Sequence, residues 1–221
     1  VKRIYFASKP VILSKVDDQR SGVKGGQIVC LFLEGGMRVE MNLALTFDDG
    51  PNKATESILL TLKKYSVAGT FFIWGEKIKG QELLIAKMDQ AEHEIGNHSY
   101  THTDFTQLTE KDIQREIDKT DKAILQVTGK QTIWFRPPYG HLLENQRENI
   151  DKKITFWTLD SQDWKAETTI DEIYRNVTEH WQNGDVVLLH CNERTAQALP
   201  NIIKAMHKEG IEGCTMSALT K

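Results

Sequence analysis

From residue 42 onward one pattern repeats: a short apolar run, a polar cluster at its end, then an amphipathic helix. "LALTF" runs into Asp48-Asp49 and is followed by the helical period of "ATESILLTLKKY". "GTFFIW" precedes "GQELLIAKMDQAEH", and the brief "EIGNHS" precedes "TEKDIQREIDKTDKAILQVTG". "TIWF" ends at Arg136, "ITFWTL" at Asp160 and "VVLLH" at His190, with helices expected over about 170–182 and 195–209. Strands alternating with helices demand parallel strands joined by crossovers, and near-continuous apolar runs suit strands buried on both faces. The fold class is therefore α/β. Residues 1–41 lack a long helix period and read as a small β-rich N-terminal extension to a domain over 42–221. No internal repeat or low-complexity tract interrupts the chain.

Composition narrows the function classes. With 221 residues, 39% of them apolar, the chain can bury a full core. Lys and Arg total 28 against 31 Asp and Glu, so there is no basic excess for nucleic acid. No apolar run approaches the roughly 18–20 residues of a membrane-spanning helix. Cys30, Cys191 and Cys214 have no metal-ligand spacing and do not read as a disulfide framework; Cys191 is expected to be a free thiol beside His190. The first residue is Val1, which reads as a trimmed or processed start, so a missing signal says nothing about export.

Residues of catalytic type gather at the ends of the expected strands: Asp48, Asp49, His98, Arg136, Asp163 and His190. In α/β barrels and open α/β sheets that end is where sites are built. "DDGP" has the residues of an ordinary turn. Alternatively, since neighbouring side chains of a strand diverge, one aspartate can hold a metal while the other faces the water to be activated. "HSYTH" sets His98 and His102 four apart, one face of a helical turn and a half-site for zinc or a similar ion. Ser99 stands where a zincin carries its glutamate, so a base and a third ligand must come from elsewhere. In "RPPYG" two prolines fix φ, which suits either a stiff surface turn or a loop that aims Arg136 inward. Asp163 in "DSQDW" is a carboxylate beside a large aromatic. His190 is either a satisfied core histidine or, beside a carboxylate, a protonated general acid. "HLLENQRENIDKK" shows no helix pattern.

In order, "TFDDGP", "HSYTH", "RPPYG", "DSQDW" and "VVLLH" resemble the five motifs of the polysaccharide deacetylases, the NodB-homology domain or carbohydrate esterase family 4, over about residues 42–221. The resemblance implies a distorted (β/α) barrel of about seven parallel strands. It implies that Asp49, His98 and His102 hold a divalent metal, zinc foremost, with cobalt, nickel or iron as the other candidates. Asp48 would be the base, oriented by Arg136; His190 the general acid, tuned by Asp163. The Tyr139 backbone N–H would stabilise the oxyanion, and Trp164 and Leu188 would line the acetyl pocket. The implied activity is removal of N-acetyl groups from an N-acetylglucosamine-containing polysaccharide, by a monomer that is extracellular or attached to the cell wall or membrane. The rival readings are an O-deacetylase of acetylated xylan and a non-catalytic carbohydrate-binding domain on the same fold. One departure stands out: Cys191 follows the last-motif histidine, where the family often has Asp.

Overall fold

The computed structural model describes residues 4–6, 9–11 and 41–220. The chain divides into two units, Val1–Met37 and Arg38–Lys221. In the first, β1 (Ile4–Phe6) pairs antiparallel with β2 (Lys9–Val11). The rest of the β-rich extension expected over 1–41, Cys30 included, lies outside the described residues, apart from Met41 at the start of the next strand.

In the second unit, strands and helices alternate as the apolar runs demand. They are β3 (Met41–Gly50), α1 (Lys53–Tyr65), β4 (Thr70–Ile73), α2 (Glu82–Gln90), β5 (Glu94–Asn97) and α3 (Glu110–Thr128). There follow β6 (Trp134–Phe135), α4 (Glu144–Arg147), β7 (Lys153–Ile154), β8 (Leu159–Asp160), α5 (Ile170–Thr178), β9 (Val186–His190), α6 (Glu193–Glu209), β10 (Ile211–Cys214) and α7 (Met216–Leu219). The sheet runs β7-β6-β5-β4-β3-β9-β8, parallel throughout, and β10 pairs with the first half of β3.

Topology forces the sheet to curl. β7 and β8 lie at opposite ends of the strand order, yet only residues 155–158 separate them. Such a link spans no more than about 18 Å at roughly 3.3–3.6 Å per residue. The chain keeps its direction and changes neighbours: Thr155 N–H donates to Phe135 O (3.0 Å), and Thr158 N–H to Val186 O (3.0 Å). The result is an incomplete barrel of seven parallel strands. The single strand expected over "ITFWTL" is therefore two short pieces, because its middle crosses the gap between the sheet's edges.

β3 is the central strand, with Leu43, Leu45 and Phe47 fully buried in the core. Phe47 stacks on Phe71 of β4 at 4.9 Å between ring centroids; full burial of such a side chain is worth about 1.5–3 kcal/mol. Ile58 and Leu62 of α1 and Leu199, Ile202 and Ile203 of α6 belong to the same core. Helix ends follow their caps. Asn52 and Thr55 form a capping box on α1, and Asn192 caps α6, which stops at Gly210 with φ +74°. α5 ends at Thr178, short of the expected 182, and one turn of helix, α4, forms inside "HLLENQRENIDKK". No helix among the described residues is long and apolar enough to cross a membrane.

Candidate active site

Residues 46 and 48 of β3 share a face, and on that face the Asp48 carboxylate meets a buried arginine. Asp48 is 2% exposed and Arg136, just after β6, is 0% exposed. Arg136 Nη1 donates to Asp48 Oδ1 (2.9 Å) and to Thr46 Oγ1 (2.8 Å), and Nη2 donates to Phe156 O (3.0 Å). Its guanidinium lies 4.2 Å from the Phe72 ring centroid. Burial works against the arginine's charge and Asp48 supports it. A buried pair of this kind is costly to break from either side. Asp48 Oδ1 is thereby committed, and Oδ2 lies 3.8 Å from His98 Nε2.

Asp49 does not simply point away from Asp48 as the pleat would require. Its φ is +67°, and the register with β4 shifts between Asp48 and Gly50. Asp49 Oδ1 comes within 3.6 Å of His98 Nε2 and 3.2 Å of His102 Nε2. Both carboxylates thus approach His98, and they differ in partners and exposure: 3% for the Asp48 side chain and 28% for Asp49.

The two histidines are not on a helical turn. After β5 the chain makes a loop in which Ser99 (φ +64°) and His102 (φ +60°) are left-handed. Such backbone costs about 1–3 kcal/mol per residue and must be held from outside. Asn97 Oδ1 accepts from Ser99 N–H (2.8 Å), while its Nδ2 donates to Ile117 O (2.9 Å) and Asp121 Oδ1 (2.7 Å). Glu116 Oε2 accepts from the N–H groups of Tyr100 (3.0 Å) and Thr101 (2.6 Å) and from the Thr101 hydroxyl (2.9 Å).

These residues fit a divalent metal. One ligand atom each from Asp49, His98 and His102 lie within 4.8 Å of one another. Asp49 Oδ1 is buried and has no hydrogen-bond partner among the described residues. A cation would satisfy an anionic oxygen so placed against two ring nitrogens. His98 Nδ1 is 2.7 Å from Arg136 O, which assigns that nitrogen the proton and leaves the Nε2 lone pair for a ligand. Burial pushes His98 below the usual histidine range, against the pull of Asp48 and Asp49. Burial opposes the charge of Asp49, yet the nearby His102, His98 and His190 outweigh it and hold its carboxyl well below the ordinary range. Burial thus favours a neutral His98 and the surrounding histidines favour an ionised Asp49, the protonation states a metal needs.

His190 ends β9 opposite Asp48 in the β3–β9 register. Its Nδ1 is 2.6 Å from Asp163 Oδ1, and its backbone N–H donates to Asp163 Oδ2 (2.7 Å). Asp163 is fully buried; its Oδ2 also accepts from Asn192 Nδ2 (3.0 Å) and from the Thr195 hydroxyl. Burial opposes the imidazolium, but the Asp163 bond and charge, aided by Asp48 and Asp49, outweigh it and push His190 up to about 9. Arg194 fixes the Asp163 loop: Nη1 donates to the carbonyls of Lys165, Ala166 and Thr168, and Nη2 to that of Asp163.

The remaining expected residues fall around this centre. Tyr139 is exposed with φ +61°, and its ring meets His102 edge-on at 4.8 Å. Leu188 is buried and in register with Thr46, so it shares the face of Asp48 and His190. Trp164 is 56% exposed, its Nε1 donating to Asp160 Oδ2 at 3.3 Å. Cys191 is a buried free thiol, pushed up to about 12 mainly by burial, and its N–H donates to Asp48 O (2.8 Å). A Cβ on Gly50 would sit 2.9 Å from the Cys191 sulfur, so glycine is needed there. The sequence reading passed over Thr46, Asn97, Glu116, Asn192, Arg194 and Thr195. Only Thr46 carried a usable signal, two residues before Asp48 on one strand face.

Comparison with known proteins gives one answer. A family profile described as polysaccharide deacetylase matches residues 38–155. The chain is 35% identical over 183 residues to the peptidoglycan-N-acetylmuramic acid deacetylase PdaA of Bacillus subtilis, covering 79% of this chain and 70% of that protein. It is 34% identical over 181 residues to a bifunctional xylanase/deacetylase of Pseudobutyrivibrio xylanivorans, covering 80% of this chain and 30% of that one. The solved structure of the peptidoglycan deacetylase PdaC from Bacillus subtilis superposes with a TM-score of 0.79 at 33% identity, over 82% of this chain and 91% of that chain. The chain spans only about a third of the length of the first curated relatives it matches. With the motifs, the curled parallel sheet and these matches in agreement, the chain belongs to the polysaccharide deacetylase family.

Proposed function

We propose that residues 42–221 form a metal-dependent hydrolase that removes N-acetyl groups from an N-acetylglucosamine-containing polysaccharide and releases acetate. The observation that carries this reading is the meeting of three units at one strand-end surface: the Asp49–His98–His102 ligand set, the Arg136-held Asp48, and the Asp163-held His190. When bound at those three ligands, a divalent ion, zinc foremost, would supply a Lewis acid for the acetyl carbonyl and for water.

The chain's own groups do the rest. Asp48 Oδ1 is committed to Arg136, so Oδ2 takes the proton of the attacking water. The Tyr139 N–H donates to the carbonyl oxygen as negative charge gathers there; one such donor is worth about 10²–10³ in rate. His190 Nδ1 is bound to Asp163, so Nε2 delivers a proton to the leaving nitrogen. The new C–O bond replaces the C–N bond, and the products are acetate and a free amine. Leu188 and Trp164 form the apolar side of the acetyl site.

An amine must be protonated to leave, and the Asp163-held His190 meets that need. O-deacetylation is the second reading, supported by the likeness to the xylanase/deacetylase. Likeness to peptidoglycan deacetylases supports action at the cell wall, and hence a position outside the cell or attached to its envelope. A monomer suffices for this chemistry, since one chain carries every group named. Product analysis on chitooligosaccharides, peptidoglycan fragments and acetylxylan tests the reading. It predicts one new amine per acetate released from the first two; acetate from acetylxylan alone would transfer the proposal to the ester.

A further inference from the structure

The two imidazoles of the ligand set are oriented in different ways. His98 is fixed by the bond between Nδ1 and Arg136 O. His102 has its backbone N–H on Ser99 Oγ (3.0 Å) and its Nε2 toward Asp49, but its Nδ1 makes no hydrogen bond to any described residue. A ligating histidine ordinarily donates its other N–H to a carboxylate or carbonyl, and that bond sets its ring plane. Here the ring is packed by aromatics instead. Trp74 stacks on it at 4.5 Å and 23° between planes, and His98 and Tyr139 meet it edge-on at 4.9 and 4.8 Å.

Trp74 is built to hold such a position. Its backbone N–H donates to Gly50 O (2.9 Å), one residue past Asp49; Gly75 N–H donates to Ser99 O (2.9 Å) and Glu76 N–H to Tyr100 O (3.0 Å). The indole thus hangs from backbone bonded to both ligand-bearing segments. A Cβ on Gly75 would lie 2.3 Å from Thr120 Oγ1, so the segment is pressed against α3. Lys77 Nζ lies 3.8 Å from the indole centroid and donates to Asp49 O (3.1 Å), which links the stack back to the third ligand. Trp74 Nε1 is buried without a hydrogen-bond partner among the described residues. The indole's contact with His102 is through its face.

We propose that Trp74 is a positioning residue for the metal centre: its stacked face, in place of a hydrogen bond, fixes the His102 ring and thereby the affinity of the site for its ion. The inference rests on the reading of Asp49, His98 and His102 as a divalent-metal site. Loss of an outer partner of a ligating histidine typically costs about 10–100-fold in metal affinity, and a stack on one face belongs at the lower end.

The test is a cobalt(II) titration, followed by visible absorption, of the wild type, Trp74→Phe and Trp74→Leu, with a thermal melt of each. Trp74→Phe should bind within about threefold of wild type, since an aromatic face remains. Trp74→Leu, folded but without that face, should bind about tenfold more weakly. In the metal-free wild type, the His102 ring protons should show upfield ring-current shifts that disappear in Trp74→Leu. Wild-type affinity in a folded Trp74→Leu, or equal losses in the Leu and Phe variants, would overturn the role of the face. Should Trp74→Leu not fold, the wild-type ring-current shift decides, and its absence overturns the proposal. A wild type that binds no cobalt would overturn the metal reading itself, a separate failure.

Discussion

Replacing Asp163 by Asn isolates the control of His190. In the wild type, Asp163 holds the imidazolium through a 2.6 Å bond and through its charge and, aided by Asp48 and Asp49, raises His190 from 6.5 to about 9 against the opposing effect of burial. A raised folded-state value means that the stabilisation is fully present below about 6.5 and is lost as pH climbs to about 9. At about 1.4 kcal/mol per unit this is worth about 3 kcal/mol. The His190 side chain is 19% exposed, so solvent screens little of it. Urea denaturation of the metal-free protein at several values between about pH 6 and 9.5 should show the wild type's advantage over Asp163→Asn shrinking across that window. An NMR titration of the His190 ring should find its midpoint well above 6.5 in the wild type and much lower in the variant. Acetate release should fall by about 10²–10⁴-fold, the usual worth of a positioned acid. A wild-type His190 midpoint below 7, or a stability gap constant through that window, would refute the reasoning.

The two adjacent aspartates should separate cleanly: Asp48→Asn should retain its metal while losing several orders of magnitude in rate, whereas Asp49→Asn should lose both. Equal metal content in the two variants, measured by elemental analysis, would reverse or cancel the assignment. The Cys191 thiol, buried and pushed up to about 12, should resist alkylation in the folded protein and react after denaturation without reductant; a mass consistent with a Cys191 bridge would contradict this. Activity on N-acetylglucosamine oligomers should rise with chain length as remote contacts add binding energy, and a monomer turned over as efficiently as a tetramer would argue for a small-molecule amide hydrolase.

The α/β alternation was legible because apolar runs alternate with amphipathic helices, and runs such as "LALTF" and "VVLLH" announce both a strand and its functional end, whereas the barrel followed from the resemblance of the motifs. The break in "ITFWTL" was not legible, since it arises where one strand exchanges Phe135 for Val186 as its neighbour, and nothing local marks that exchange. The grouping of Asp49, His98 and His102 was legible from motif order, but its geometry was not. Pleat alternation and a helical turn were the natural readings of "DD" and "HSYTH", whereas the chain uses positive φ at Asp49, Ser99 and His102. The loop that carries Ser99 and His102 is held by Asn97 and Glu116, which tie it to β5 and α3 through contacts with no sequence period. The same holds for Thr195 and Arg194, which reach the Asp163 loop from about thirty residues away.

The central claim is that hydrolysis at this surface depends on an ion held by Asp49, His98 and His102. The most direct measurement is acetate release from an N-acetylglucosamine tetramer by protein stripped with a chelator and verified free of metal, before and after zinc or cobalt is returned. The account predicts no release from the stripped protein, recovery as the ion is restored, and no recovery in His98→Ala. Full activity in the metal-free protein would contradict it.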